Sequence, residues 1–233
     1  MEYCNFVETK IHKMSIANNI EKIQNTLPSA TTLVAVSKTK PNSDIIEAFN
    51  AGQIIFGENK VQDLVAKYEV LPKEIEWHFI GHLQSNKIKY LAPFVSLIHG
   101  VDSYKLLKAI NKEALKNNRT INCLLQVHIA EEDTKFGFSV NEITELLESG
   151  NINELSNIKI CGLMGMATNT KDELQVRKEF CSLRDTFNNF KQTYFSNNEH
   201  FKEISMGMSG DYQLAIECGS TMIRVGSSIF GAR

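Results

Sequence analysis

The sequence predicts an α/β protein folded as a single (β/α)8 barrel of the TIM type, and two observations lead to this. Eight short apolar runs alternate with helical patterns along the 233 residues, and the runs are rich in β-branched side chains. No stretch rich in Pro, Gly or Ser divides the chain, so all eight units fit one domain of ordinary barrel length. An open, doubly wound parallel sheet is the alternative that the same alternation allows.

Each predicted element follows from the spacing of its apolar residues. Ile16, Ile20, Ile23 and Leu27 recur at helical spacing and predict an extra helix before the first strand, ending near Pro28. The predicted strands are 32–37, 53–56, 76–80, 95–99, 122–129, 158–163, 203–206 and 221–225. The predicted helices between them are 43–51, 61–70, a short one after residue 85, 104–117, 141–148, 172–195 and 212–217. Residues 14–233 therefore form one predicted barrel domain, and residues 1–13 an N-terminal extension whose order is left open.

Composition excludes several classes of function. The formal charge is −2 and the basic residues are spread among acidic ones, so we expect no nucleic-acid partner. No apolar stretch approaches the roughly 20 residues that a membrane helix needs. The five cysteines are odd in number, widely spaced and without a C-x-x-C pair, which predicts reduced thiols in a cytoplasmic protein. Residues 1–13 contain two acids and no arginine, so they make a poor targeting peptide.

Lys38 is the most informative residue, because it follows the buried apolar run of the first predicted strand. Pro41 forces the chain to leave that strand. The carboxyl ends of barrel strands are where barrel proteins bind their ligands. Partial desolvation there disfavours an ammonium and makes a lysine amine a usable nucleophile toward an aldehyde. The alternative is a lysine that simply enters solvent.

Small residues after the seventh and eighth strands predict a phosphate site. Ser209 and Gly210 follow the seventh strand, and Gly226, Ser227 and Ser228 follow the eighth. Loops at these two places in a barrel commonly bind a phosphate, because backbone N–H groups can approach the anion closely. Tight turns with helix caps are the alternative for either loop alone.

Other polar residues allow two interpretations each. Arg224 lies inside the eighth strand, where it either pairs with a carboxylate or donates to a bound ligand. Glu58 and Asn59 either line the barrel mouth or cap the next helix. His78 is expected to be a hydrogen-bonded barrel histidine, because its spacing to His82 does not suit a metal site on a strand and loop.

These features together point to one cofactor. The sequence contains no dinucleotide-binding glycine pattern, no P-loop, no nucleophile elbow and no zinc-ligand spacing. A lysine that forms an imine and a phosphate cradle in the same barrel indicate a phosphorylated aldehyde, and pyridoxal 5′-phosphate is the obvious one.

The chain resembles the pyridoxal phosphate homeostasis protein family, whose members are related to the barrel domain of alanine racemase. The resemblance runs from about residue 14 to the end and rests on segments that match in order: VSKTKP at 36–41, FGEN at 56–59, WHFIGHLQSNK at 77–87, GLM at 162–164 and the block 207–231. It implies a fold-type III barrel in which Lys38 forms a Schiff base with the vitamin B6 cofactor. It implies phosphate contacts from Ser209, Gly226 and Ser227, and Arg224 facing the pyridine nitrogen. It places Asn59, His78 and Met208 near the cofactor.

Two functions follow from this resemblance. The first is a protein without turnover that binds pyridoxal phosphate, buffers it and delivers it to cofactor-dependent apo-enzymes, acting as a monomer. The second is an amino-acid racemase or decarboxylase, which needs an acid or base opposite Lys38, and only His82, His128 and Tyr212 are candidates. We favour the first, because the chain ends directly after the eighth strand, where racemases carry a second domain. An arginine at the pyridine nitrogen also disfavours a protonated ring, which weakens it as an electron sink.

Overall fold

The computed structural model describes residues 15–131 and 136–232, and within these ranges eight parallel strands close into a barrel. The strands follow chain order around the barrel, and β8 pairs with β1 to complete the circle. The predicted barrel is therefore confirmed, and the open sheet is excluded. The strands are β1 Thr32–Val36, β2 Ile55–Glu58, β3 Glu76–Phe79, β4 Leu97–Val101, β5 Ile121–Gln126, β6 Ile158–Met164, β7 Glu203–Met208 and β8 Met222–Val225.

Helices connect the strands and cover the barrel from outside. In chain order they are α1 Ile16–Gln24, α2 Asn42–Asn50, α3 Val61–Val70, α4 Ile88–Leu91, α5 Tyr104–Lys116, α6 Val140–Glu148, α7 Glu173–Thr193, α8 Tyr212–Glu217 and α9 Ser227–Phe230. Two 3-10 turns, Ser85–Lys87 and Asn151–Glu154, complete the pattern. The extra helix before β1 is confirmed, whereas α9 was not predicted. The N-terminal extension predicted for residues 1–13 lies outside the described residues.

Two strands begin two residues later than the sequence predicts. The sequence assigns Gln53 to β2, but its backbone N–H donates to Ala48 O of α2 and so belongs to the turn that ends this helix. Its side-chain amide donates to Leu33 O of β1 and to Ile55 O of β2. β4 begins at Leu97 and extends through Gly100 to Val101. The predicted strand ends before Gly100, because glycine has a low strand propensity. A Cβ on Gly100 would lie 2.7 Å from Gly81 O, so glycine is there because the backbones approach closely.

The barrel has an apolar layer inside and a larger core outside. Val34, Leu97, Leu124, Met164 and Met222 form the cluster inside the barrel. Outward-facing strand residues pack against the helices, and the largest fully buried side chains of this outer core are Trp77, Phe56, Phe79, Phe180, Phe190 and Phe201. Burying one such side chain contributes about 2–3 kcal/mol, so the outer shell supplies most of the driving force for folding.

A bulge at Cys161 brings β6 into contact with β7. The register of β5 with β6 shifts between Cys123 and Leu124, which leaves Cys161 as the extra residue. The next residue, Gly162, takes a φ of 150°, and a Cβ there would lie 1.8 Å from Glu203 O. Only glycine fits this position, because both the backbone conformation and the space exclude a side chain.

We expect Gly162→Ala to destabilise the protein by about 3 kcal/mol or more, because backbone strain adds to a clash with main chain that cannot move away. Gly210→Ala is the matched control, since a Cβ there meets nothing within 4 Å. Urea unfolding followed by circular dichroism measures both. Equal loss of stability in the two variants would contradict the assignment.

Candidate functional site

The chain turns sharply where β1 ends, and Lys38 lies in that turn. Lys40 N–H donates to Ser37 O at 3.0 Å, and Thr39 has a positive φ of 66°. A positive φ at the third residue is typical of a type II turn and is unusual for a β-branched side chain. Lys38 is half-buried, and its amine has no hydrogen-bond or ion-pair partner among the described residues. The turn therefore holds an uncommitted amine at the barrel mouth.

A buried ion pair holds this turn from behind. Lys67 of α3 donates from Nζ to Ser37 O at 2.8 Å and to Glu58 Oε1 at 2.6 Å. The Ser37 hydroxyl donates to the same Glu58 oxygen at 2.7 Å. Glu58 is fully buried and its Oε2 atom has no partner, so the carboxylate depends on Lys67 for charge compensation. Glu58 therefore ends β2 and faces α3, and neither proposed role, lining the mouth or capping a helix, describes it.

Barrel closure brings the loop after β8 next to the Lys38 turn. Ala35 pairs with Val225, so Gly226 follows at the level of Val36. A Cβ on Gly226 would lie 3.1 Å from Val36 O, which shows how closely the two strand ends approach. Gly226 N–H donates to Ser209 Oγ at 3.1 Å, which joins the loop after β8 to the loop after β7. The two glycine-serine loops and Lys38 thus share one side of the mouth.

These two loops contain unused hydrogen-bond donors. Within the described part of the chain, the backbone N–H groups of Ser209, Gly210, Ser227 and Ser228 have no protein acceptor. Ser227 and Ser228 are exposed, so their hydroxyls are also accessible. Several free N–H groups on two hydrogen-bonded loops suit an anion with three oxygens, such as a phosphate.

Arg224 is buried in the barrel interior beside these loops. It donates to Ser205 Oγ at 2.6 Å and to Gly165 O at 3.1 Å, and no described carboxylate lies within 4.0 Å of it. Burial lowers the pKa of Arg224 to about 10, partly offset by the more distant Asp211, so the guanidinium remains charged at neutral pH. The carboxylate partner that the sequence allowed is therefore not present in the described residues.

A chain of polar side chains leads from Arg224 through the barrel. Ser205 Oγ lies 3.0 Å from His99 Nδ1, and His99 Nε2 lies 3.1 Å from His78 Nδ1. Because Arg224 can only donate, Ser205 accepts from it and donates its single proton to His99. His99 then carries its proton on Nε2 and donates to His78, whose own proton lies on Nε2. Because the described hydrogen-bond partners of the Ser205 hydroxyl are the donor Arg224 and His99 Nδ1, the arrangement that satisfies every group has both histidines protonated on Nε2.

Both histidines are neutral. Burial lowers the pKa of His78 from 6.5 to about 3. Burial also lowers the pKa of His99 far below its usual range, and the nearby His78 and Arg224 add to this effect. His78 also lines a cavity of about 360 Å³ at the amino ends of the strands. It is therefore a hydrogen-bonded barrel histidine, as the sequence predicted.

The remaining predicted residues lie at the carboxyl ends of their strands. Asn59 directly follows β2 and is exposed, and its backbone packs closely against Gly81. Met208 ends β7, pairs in register with Arg224 and is 41% exposed. Their positions around the mouth agree with the predicted site, whereas their contacts with a ligand stay a prediction.

Sequence reasoning missed Lys67 and Ser205. Lys67 reads as one more lysine on the polar face of a helix, yet it is 8% exposed and neutralises Glu58. Ser205 sits inside β7, where a buried hydroxyl next to a buried arginine was the available signal. The described residues contain no group of three or more His, Cys, Asp or Glu side chains that could hold a metal ion.

The candidates for a second acid or base are scattered. His82 Nδ1 lies 3.0 Å from Asp102 Oδ2, and its ring stacks on Phe136 at a centroid distance of 4.2 Å. Tyr212 begins α8, directly after residues 209–211 of the loop that follows β7. None of them hydrogen-bonds to the polar chain of Arg224 among the described residues.

Sequence comparison adds independent information. A family model described as the alanine racemase N-terminal domain matches residues 11–233. The pyridoxal phosphate homeostasis protein of Pasteurella multocida is 37% identical over 233 residues, covering 94% of this chain and 98% of the relative. The protein of the same name from Aquifex aeolicus is 41% identical over 202 residues, covering 86% of each.

Solved structures agree with these relatives. The PipY protein of Synechococcus elongatus without pyridoxal phosphate superimposes with a TM-score of 0.86 at 34% identity, covering 93% of this chain and all of that one. The structure of PipY with pyridoxal phosphate bound gives a TM-score of 0.83. Alanine racemase of Clostridium difficile is only 13% identical with a TM-score of 0.73, which shows a shared barrel fold.

We expect Lys67→Met to destabilise the protein by about 3–5 kcal/mol, because it leaves the Glu58 carboxylate buried without a counter-charge. The double variant Glu58→Gln/Lys67→Met should recover most of this loss. Chemical denaturation of wild type, both single variants and the double variant completes the cycle. Additive losses in the double variant would show that the two side chains do not compensate each other.

We expect acid to destabilise the protein partly through His78. Because its pKa is about 3 when folded and 6.5 when unfolded, the unfolded chain binds the extra proton between these values, and stability falls as the pH drops through this window. The loss approaches about 1.4 kcal/mol per pH unit for one histidine. His78→Asn should therefore lose less stability than wild type between pH 6.5 and about pH 4. The exposed His200→Asn is the control, and it should follow the wild-type curve.

Proposed function

The chain belongs to the pyridoxal phosphate homeostasis protein family, and on this premise we propose that it binds pyridoxal 5′-phosphate as a Schiff base on Lys38. We further propose that it buffers the cofactor and delivers it to other proteins. The observation that carries the proposal is the Lys38 amine beside two loops in which the N–H groups of Ser209, Gly210, Ser227 and Ser228 have no acceptor in the described part of the chain. An aldehyde with a phosphate tail fits this pair of features, because the aldehyde reacts with an amine and the phosphate needs hydrogen-bond donors.

In this proposal each residue has a separate role. Lys38 condenses with the aldehyde carbon and releases water. Ser209 and Ser227 hold the phosphate with backbone and hydroxyl donors. Gly226, whose N–H donates to Ser209 Oγ, contributes to the phosphate site by letting the backbone approach the anion closely. Arg224 faces the ring nitrogen with a guanidinium that Ser205 and Gly165 orient. Asn59 and Met208, at the carboxyl ends of their strands, complete the surroundings of the ring. His78, which the family resemblance also places near the cofactor, lines the cavity at the amino ends instead and connects to Arg224 through His99 and Ser205.

The charge of Arg224 supports binding without turnover. Pyridoxal phosphate promotes amino-acid chemistry by withdrawing electrons into its ring, and it does this best when the ring nitrogen is protonated. A guanidinium that stays charged at neutral pH repels a proton at that nitrogen. Racemisation or decarboxylation would also need a group opposite Lys38, and His82 is already paired with Asp102.

Delivery requires that the cofactor leave easily. An incoming amine can attack the cofactor carbon and free Lys38, so exchange needs only access at the mouth. The Lys38 side chain is half-buried and no protein group binds its amine in the described residues, which favours such exchange. Recipient apo-enzymes, a monomeric state and a cytoplasmic location stay predictions. No helix in the described ranges has the length and low polarity of a membrane span.

Borohydride reduction of the cofactor-loaded protein should fix one pyridoxyl group on Lys38, found by sequencing the modified peptide. Lys38→Ala should abolish the adduct and retain weak, phosphate-held binding. Lys60→Ala is the control, because Lys60 is also exposed near the mouth and should leave labelling unchanged. Labelling of a different lysine in wild type would overturn the assignment.

Exchange of the Cα proton distinguishes binding from catalysis. Amino acids incubated with the loaded protein in deuterium oxide should exchange far more slowly than about 1 per second, the lower end of ordinary turnover. Free cofactor at the same concentration supplies the background rate. Faster exchange that disappears in Lys38→Ala would establish the racemase alternative, and proton NMR of the amino acids measures it.

A further inference from the structure

Two free cysteines meet between α7 and the end of α8, away from the Lys38 turn. The Cys181 thiol donates to the Cys218 sulfur, and the two Sγ atoms are 3.1 Å apart although the residues are 37 positions apart in sequence. A disulfide bond measures about 2.05 Å, so a movement of about 1 Å would bring the sulfurs to bonding distance. Cys218 is 1% exposed, whereas Cys181 is half-buried and accessible from solvent.

Two arginines flank this pair, and each forms an ion pair with a carboxylate, Arg177 with Glu217 and Arg184 with Asp185. Arg177 lies four residues before Cys181 on α7 and Arg184 three residues after it, so both share its helix face. Both guanidinium groups lower the pKa of Cys218, but burial and the bond from Cys181 outweigh them and raise it to about 11. Cys218 therefore stays a thiol, and it donates to Arg177 O.

We propose that Cys181 and Cys218 form a reversible redox modification site, with a peroxide as oxidant and a dithiol as reductant. The Cys181 sulfur attacks one oxygen of hydrogen peroxide, the O–O bond breaks, and the departing hydroxide takes up the Cys181 thiol proton, which gives a sulfenic acid and one water. The Cys218 sulfur then attacks the Cys181 sulfur, the S–O bond breaks, and a second water leaves with the thiol proton. Two thiols and one peroxide thus give one disulfide and two waters.

The position of the pair connects it to the phosphate loops. Cys218 ends α8, and α8 begins directly after residues 209–211 of the loop that follows β7. A cavity of about 460 Å³ separates the beginning of α8 from α7, so the two helices are not packed tightly there. A disulfide between Cys181 and Cys218 would tie α8 to the long helix and restrict the motion of that loop.

Hydrogen peroxide treatment of the full-length protein tests the site. Intact mass should fall by two hydrogens, and alkylation after unfolding should modify three thiols where the reduced protein gives five. Peptide mapping should find Cys181 linked to Cys218, and dithiothreitol should restore all five thiols. Cys181→Ser and Cys218→Ser should each abolish the change, whereas the matched control Cys161→Ser should retain it.

Other products would overturn the proposal. These are a link that involves Cys4 or Cys161, a disulfide between two molecules, or over-oxidised Cys181 beside a free Cys218. Each of them would show that the 3.1 Å contact does not guide the chemistry. None of these measurements requires the cofactor, so they do not depend on the proposed function.

A second measurement rests on the proposed function. Pyridoxal phosphate release from the oxidised wild type should be about threefold slower than from peroxide-treated Cys181→Ser, because the phosphate loop is restrained. Equal release rates would remove the link between the disulfide and the loop. If neither protein binds the cofactor, the proposed function fails while the disulfide assignment stands.

Discussion

The hydrogen bonding of β8 to β1 is the constraint on which the candidate site depends. Lys38 follows the first strand and Gly226 follows the last, so their separation in sequence is close to the largest the chain allows. Closure places them on neighbouring strand ends, where Gly226 lies against Val36. An open sheet would leave the same strands at different places and separate the amine from the donors. The chemistry proposed for the site therefore requires the fold as a whole.

Arg224 places a positive charge in the barrel interior, and its hydrogen-bond partners among the described residues are neutral groups. Arg224 has no carboxylate within 4.0 Å among the described residues, and it relies on Ser205 and a carbonyl for hydrogen bonds. An extra carboxylate would neutralise the guanidinium and lessen its effect on a ligand. Neutral His99 and His78 continue the chain, so the field of Arg224 is not cancelled inside the barrel. This arrangement leaves the charge of Arg224 available to act on a ligand bound at the carboxyl ends of the strands.

The barrel could be predicted as the favoured fold, because eight alternating strands and helices without a linker leave few architectures, of which an open sheet was the other. The Lys38 turn and the serine-glycine loops could also be predicted, since they depend on residue types at strand ends. The partner of Glu58 could not, because nothing local distinguishes the buried Lys67 from the exposed lysines of the other helices. The series of hydrogen bonds from Arg224 to His78 could not be predicted either, because it joins strands that are far apart in sequence.

The contacts of the residues next to Lys38 explain how its amine can be positioned without being hydrogen-bonded to a protein group. Direct hydrogen bonds to Lys38 Nζ would compete with the reaction proposed for it. The structure instead grips the preceding residue, because Ser37 contacts Lys67 through its carbonyl and Glu58 through its hydroxyl. Two residues after Lys38 the chain is held as well, since Lys40 Nζ donates to Phe230 O and Gly231 O at the end of α9. Rigid neighbours on both sides thus orient the side chain while its nitrogen stays available.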